Sequence, residues 1–565
     1  MKYSQLFGKT QYGKRSGSEM ISHQYLLKGG FINESTAGRY YFLPLGWKVH
    51  KKIKQVIKEE MDKAGAQEMV TPVLHPIELW QETNRTGSVG FELMSATDRR
   101  GAEFALGGTA EEMVVDLVRK YQLSYKDLPF NIYQFSTKFR DELRARGGLL
   151  RVREFTMKDA YSFHIDAKDF KKEYDKMATT YSTIFSRLGL DSIKVEADNG
   201  YIGGEYCHEF QVEHEQGEGR FFVSEDGNYV AHEDIAKFKR NPVNENEEEK
   251  EFKIIDQPEW VQTMEHNEKH YKKAKSHFLK NVVYKHRTTG EIIIAVIRGD
   301  LEINKAKLEQ HLNLVGMLED ATDEDLHKLG TKSGYVHSWG HKGARYIGDI
   351  SLKVSKNLIG GQKEEKTDSF NVNYGRDFEC ESLGDIAMAE DGFLTEDGKS
   401  KLIEKKGIEV GNIFQLGLHY SEKMTGATFK DQSGEDKPYY MGCYGIGLGR
   451  AMATVVEKHH DDQGIIWPKN IAPFQVHLIS LPGGEEQAKK VYQEIISSDL
   501  EILWDEREES AGKKFADADL IGVPIRAVVS KKSGDKIEFK QRGSRESELV
   551  SIEEFIKKVK EYYNS

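Results

Sequence analysis

The stretch that most constrains this chain runs from Phe139 to Phe155, FRDELRARGGLLRVREF. Just upstream, Tyr133, Phe135, Thr137 and Phe139 fall on alternate positions, which predicts a half-buried strand over 131–142. Downstream, Arg151, Arg153, Phe155 and Met157 share one face of a second extended run. Gly147-Gly148 between them supplies the backbone freedom of a hairpin loop. Five arginines in these 17 residues, interleaved with Asp141, Glu142 and Glu154, pack poorly beside aromatic strands unless anions bind there. Guanidinium forks match phosphate and carboxylate, and an aromatic flank stacks on a base. A solvated charged hairpin is the other reading of the same pattern.

At 565 residues the chain exceeds a single core, and three or four domains are expected. No apolar run is long enough to span a membrane, and the first residues have no apolar core of a signal peptide. Cys207, Cys380 and Cys443 are too scattered for a disulfide framework or a Cys-x-x-Cys metal knuckle, which suits a reducing cytoplasm. A net charge of −11 argues against indiscriminate coating of nucleic acid, while a local basic surface still permits RNA. DNA and membrane are not expected partners.

Taken in order, GRYYFLPLGWKV leads from an aromatic, turn-rich opening (17–46) into a helix over 47–64, with Val49, Ile53, Val56, Ile57 and Met61 at helical spacing and Gly65 as its stop. EMVTPVLHP (68–76) reads as a strand. In EFALGGTAEEMVVDLVRKY a short strand, a Gly107-Gly108 turn and a helix follow one another. Thr109 is either that helix's N-cap or, with Glu111, a receiver for a ligand ammonium group. Residues 165–190 are helical, and 193–218 give strands and turns. Cys207, His208 and His214 are too few at ligand spacing for a metal site. FKRNPVNENEEEKEFK (238–253) reads as a flexible crossing into an α+β module of short strands and helices. MGCYGIGLGRAMATVVEKHH places glycines before a helix starting near Arg450, a backbone that a phosphate can approach. The last hundred residues alternate strand and helix.

The FRxE run with the later Arg151–Phe155 resembles motif 2 of the class II aminoacyl-tRNA synthetases. TMKDAYSFH (156–164), Thr109-Ala110-Glu111, GGEYCHEFQV and Gly442-Cys443-Tyr444-Gly445 resemble the bacterial prolyl-tRNA synthetases among them. The helix before 68–76 is similar to motif 1, the dimer-forming segment, and 441–460 to motif 3. The resemblance implies an α/β and α+β multidomain protein: a class II antiparallel-sheet catalytic domain in two parts (1–235 and 405–468), an inserted editing-like domain (236–404), and a C-terminal α/β anticodon-binding domain (469–565). Asp505-Glu506-Arg507 stands where that last domain's pattern carries Asp-Asp-Arg.

The implied reaction is ATP-dependent ligation of L-proline to tRNA(Pro) through prolyl-adenylate in a cytoplasmic homodimer. Arg140 and Arg450 would be catalytic. Proline would meet Thr109, Glu111, Arg140, His208, Phe210 and Cys443. ATP would meet Arg140, Glu142, Arg151, Phe155, Glu409, Gln415 and Arg450, with Mg²⁺ on the phosphates and Glu409 and Gln415 at family positions near that metal and the ribose. In the insertion, Lys280 and Asp349 fall where the family's editing residues stand. Tyr335 replaces the proline of its glycine loop, and KTDSF (366–370) replaces its histidine. Removal of mischarged alanine is thus left open. Rival readings are a threonyl or seryl ligase, and a synthetase-like tRNA-binding paralogue without ligase activity.

Overall fold

The largest sheet is built on one strand. In the computed structural model, which describes residues 1–13, 20–86, 93–362 and 364–564, Leu402–Gly417 runs for 16 residues with two successive partners on one edge. Its first half pairs with Gly219–Ser224 and its second with Tyr206–Glu213. On its other edge come Tyr440–Gly447, then Glu154–His164, then Phe130–Phe139, all antiparallel. Among the described residues the sheet has nine strands. Residues 17–19 of the aromatic opening, and 14–16 and 87–92 of the expected first domain, lie outside the described residues.

Helices Pro44–Lys63, Ala167–Arg187 and Leu448–Lys458 cover one face of this sheet. Each carries an apolar stripe at helical spacing, such as Val49, Ile53, Val56 and Ile57, all buried. Asp166 caps the second helix, its side chain accepting the Asp169 N–H at 2.7 Å. The opposite face carries a separate core around Phe414, Leu416, Tyr161 and the helix Glu111–Val118.

The chain leaves this unit after Val230–His232 and returns at Leu402. Between them lies a module with the sheet order Leu318–Asp320, Leu279–His286, Ile292–Arg298, Ala344–Asp349, Ser382–Gly384. The crossing at 238–253 is not the loose linker its composition suggests. Arg240 donates two hydrogen bonds to Asp349, at 3.1 and 3.0 Å, and the Val243 N–H reaches the Val354 carbonyl at 3.1 Å. Buried ion pairing overrides the polar texture. Near the C-terminus, Val476–Ser480 lies between parallel neighbours Ile502–Asp505 and Ile525–Val529. Helices Glu485–Ser497 and Ile552–Asn564 pack into its main core, and Ala511–Ile521 into a smaller one.

The expected strand over 68–76 is a correction. Only Gln67–Glu68 and Leu74–Pro76 are strands, because Pro72 offers no N–H for a ladder between them. Among the described residues, no helix is long and apolar enough to cross a membrane.

Candidate active site

Strand alternation decides what reaches the functional face. Two cross-strand rows point away from the helices: Cys207, Phe414, Cys443 and Tyr161, then Glu209, Asn412, Gly445 and Asp159. The row between them, His208, Ile413, Tyr444 and Ala160, points into the helix layer. A period of two allows no other outcome within one register.

Above the first row lies a buried polar pocket. The Thr109 hydroxyl donates to Glu111 at 2.5 Å, and the Cys443 thiol donates to the other Glu111 oxygen at 3.0 Å. Burial and the adjacent carboxylate push the Cys443 thiol well above its ordinary range, so it stays a donor. Arg85 stands 3.5 Å from Glu111 and 2.7 Å from Glu112. The helix begins at Glu111 with Ala110 as its N-cap, so Thr109 does not cap it; its hydroxyl turns to Glu111 instead. The Tyr161 hydroxyl accepts the Ala110 N–H at 3.0 Å and donates to Asp159, which also holds Lys138 at 2.9 Å. This network pins the pocket to the sheet.

Arg140 joins the pocket to a larger cleft. It donates to the Gly108 carbonyl at 3.5 Å, and its guanidinium lies 5.2 Å from the Phe155 ring centre. The cleft holds about 780 Å³ and is lined by Arg140, Glu142, Arg151, Phe155, Glu409 and Arg450 among others. Gly147 and Gly148 take φ of +67° and +63°, as the hairpin loop requires. Burial raises the Glu142 carboxyl, but the Arg151 side chain at 2.7 Å and the Arg144 N–H at 2.9 Å hold it below its ordinary value. It is an anion ready to accept.

Arg450 sits in the first turn of Leu448–Lys458 and donates to Glu409 at 2.7 Å and to the Leu150 carbonyl at 3.0 Å. A second cavity of about 770 Å³ shares Arg151, Glu218, Glu409 and Arg450 with the cleft and adds Glu209 and His232. Burial and the neighbouring Glu409 push the Glu209 carboxyl up to about 7. Among the described residues, no group of three or more His, Cys, Asp or Glu side chains is set to hold a metal.

Three expected site residues lie elsewhere. His208 faces the helices, held between the Tyr174 hydroxyl at 2.8 Å and the Tyr206 hydroxyl at 2.9 Å. Phe210 packs against Tyr181 and Phe185 on the same side. Gln415 bonds Glu205 and Tyr440, both at 2.6 Å, and does not line the cleft. Their odd–even phase relative to Cys443 excludes them, and the same phase selects Cys207, Glu209 and Asn412. In the insertion, Asp349 is fully buried, accepting from Arg240 and from the N–H groups of Ser351 and Ile386. Lys280 is paired with Glu302 and the Leu301 carbonyl. Each is held by partners of its own. Arg85, Lys138, Asp159, Tyr161 and Glu209 carry no local sequence signal; counting alternate positions from Cys443 reaches the last three only once the register between strands is known.

Residues 91–459 match the profile of the tRNA synthetase class II core domain (G, H, P, S and T), and 475–562 that of the anticodon binding domain. The chain is similar to the proline--tRNA ligase of Dehalococcoides mccartyi, 40% identical over 99% of this chain and 98% of that one. It is also 40% identical to that of Bacillus subtilis, over 95% and 96% of the two chains. Two solved structures share its fold at low identity. The prolyl-tRNA synthetase of Cryptosporidium parvum with halofuginone and AMPPNP has a TM-score of 0.57 at 14% identity, covering 97% of this chain and 80% of that one. That of Giardia lamblia with prolyl-adenylate has a TM-score of 0.57 at 16% identity, over 96% and 78%.

Proposed function

The chain belongs to the proline--tRNA ligases of class II, and from that premise we propose how its own residues divide the work. The enzyme activates L-proline with ATP and transfers it to tRNA. Arg140 carries the reading: it lines the arginine-rich cleft and donates to the Gly108 carbonyl, the residue just before the Thr109–Glu111 turn.

Glu111, with Thr109 beside it, receives the secondary ammonium of proline, and Cys443 and Phe414 border the small ring. Arg140 bridges the proline carboxylate and the α-phosphate, holding nucleophile and electrophile together while charge develops on phosphorus. Glu142 accepts from the adenine amine and Phe155 stacks on the ring. Arg151 and Arg450 take the tail, and Arg450 exchanges Glu409 for the terminal phosphate at the positive end of its helix. His208 and Phe210 act by packing the sheet against its helices, and Gln415 by tying Glu205 to Tyr440.

Mg²⁺ fits Glu209 and Glu409: burial first and Glu409 second lift the Glu209 carboxyl to about 7, and a cation beside the two carboxylates would relieve their repulsion. These residues would hold it, and bound there it would neutralise triphosphate charge.

We divide the chain as 1–235 and 405–468 for catalysis, 236–404 inserted, and 469–565 for the anticodon of tRNA(Pro). The assembly is a homodimer: Val70, Val73 and Leu74, beside the motif 1 helix, are 74, 36 and 45% exposed, an apolar strip that a second copy would cover. Free Cys207, Cys380 and Cys443 accord with the cytoplasm. The inserted module receives no hydrolytic assignment on Lys280 and Asp349. Pyrophosphate exchange with each amino acid in turn tests the reading: proline alone should support it strongly, and background exchange throughout would leave a tRNA-binding paralogue.

A further inference from the structure

The nucleotide cleft has a wall that the catalytic unit does not supply. Its lining includes Arg287, which belongs to the inserted module. Arg287 stands on the tip joining Leu279–His286 to Ile292–Arg298. That tip is fixed by its own backbone. The Arg287 N–H donates to the Met317 carbonyl at 2.9 Å, and the Gly290 N–H to the His286 carbonyl at 2.8 Å. The Thr288 and Thr289 N–H groups both donate to the His286 Nδ1, at 3.1 and 3.2 Å. The arginine is therefore presented by a rigid turn.

Charge sharpens the point. Within the cleft the catalytic unit supplies four arginines and four carboxylates, and Arg287 is a fifth arginine with no counterpart among them. Its nearest carboxylate, Glu319, lies outside the cleft lining at 4.0 Å, the outer limit of an ion pair, and is half exposed. At the rim Glu218 is already engaged by Arg146 at 2.7 Å and Arg151 at 3.5 Å. The Arg287 guanidinium is a donor fork left facing the cleft.

We propose that Arg287 binds the β- and γ-phosphates of ATP, so that nucleotide binding ties the inserted module to the catalytic sheet. The inference rests on the ligase reading above and extends it to a residue outside the catalytic unit. Adenine and ribose need no further cation, whereas the tail carries the charge that a fork from the rim can reach. The inserted module then contributes to synthesis, independently of any hydrolysis.

The test compares ATP with AMP, which lacks the tail, by calorimetry on the full-length protein. Arg287→Ala should weaken ATP about three- to tenfold, leave AMP unchanged, and lose its effect as salt rises. Arg287→Lys should recover part of the ATP affinity, and Arg287→Glu should weaken it further. In proline-dependent pyrophosphate exchange the KM for ATP should rise while that for proline stays put. Equal weakening of ATP and AMP, or no change in either, overturns the proposal. A rise confined to the KM for tRNA also overturns it, assigning the arginine to an RNA phosphate. Failure of the ligase reading looks different: the unmodified protein would then show no proline-dependent exchange.

Discussion

The arginine-lined cleft and the Arg240–Asp349 cluster are made of the same residue types, arginine against carboxylate, and they end up as opposites. In the cleft, Arg151, Arg450 and Glu142 line open space, and their partners are part-exposed side chains. In the insertion, Arg240 and Asp349 are 8 and 0% exposed, and Asp349 is filled by one guanidinium and two N–H groups. A charge pair beside a cavity is poised for exchange, whereas one without a cavity is a fastening.

The largest effect expected from this contrast is on stability. Asp349→Ala removes a carboxylate from Arg240 and should destabilise the inserted module by about 3 kcal/mol, the low end for a broken buried pair because Asp385 remains. Urea unfolding followed by tryptophan fluorescence measures it, and a change under about 1 kcal/mol would erase the distinction. Arg140→Ala should do the reverse, removing about 3 kcal/mol of transition-state stabilisation, over a hundredfold in kcat/KM, with unfolding almost unchanged. Glu111→Gln should come next, raising the KM for proline by roughly ten- to a hundredfold while that for ATP holds, as befits a lost charge-assisted hydrogen bond.

Smaller effects sharpen the boundary between the two faces of the sheet. Burial, with Lys194 and Lys171 nearby, lowers His208 from 6.5 to about 4, so the unfolded chain binds more protons between those values. Its contribution is whole above pH 6.5 and is lost as pH falls toward 4. His208→Asn should flatten that acid-side loss in a thermal melt and leave the KM for proline within twofold; a large rise would return His208 to the pocket. Lys280→Ala should change stability by less than about 0.5 kcal/mol, since its pair with Glu302 is at the surface. If the same variant abolished deacylation of alanyl-tRNA(Pro) by an active parent, the inserted module would be a hydrolytic site after all.

Much was legible in the primary structure. The hairpin, the Thr109-Ala110-Glu111 turn, the glycine strand before Arg450 and the insertion between them are local patterns, set by side-chain period, turn chemistry and helix starts. They identify the cleft residues because each sits within a few positions of its own signal. Glu209, Asp159 and Arg85 had no such signal. Glu209 matters through Glu409, and Arg85 through Glu111 and Glu112, partners that folding alone brings together.

The sequence by itself determined most of the strands and helices, the broken run at 68–76 apart, and which residue types gather at the FRDE, Thr-Ala-Glu and Gly-Arg segments, because those depend on neighbours along the chain. Only the tertiary structure decided that His208, Phe210 and Gln415 share the helix-side phase while Cys207 and Glu209 lie on the other face, Cys207 in its core and Glu209 in the second cavity. It alone closed Asp349 around Arg240 and brought Arg287 to the wall of the cleft. Each of those outcomes depends on strand register and on contacts across many tens to hundreds of residues, where a shift of one position reverses every side chain.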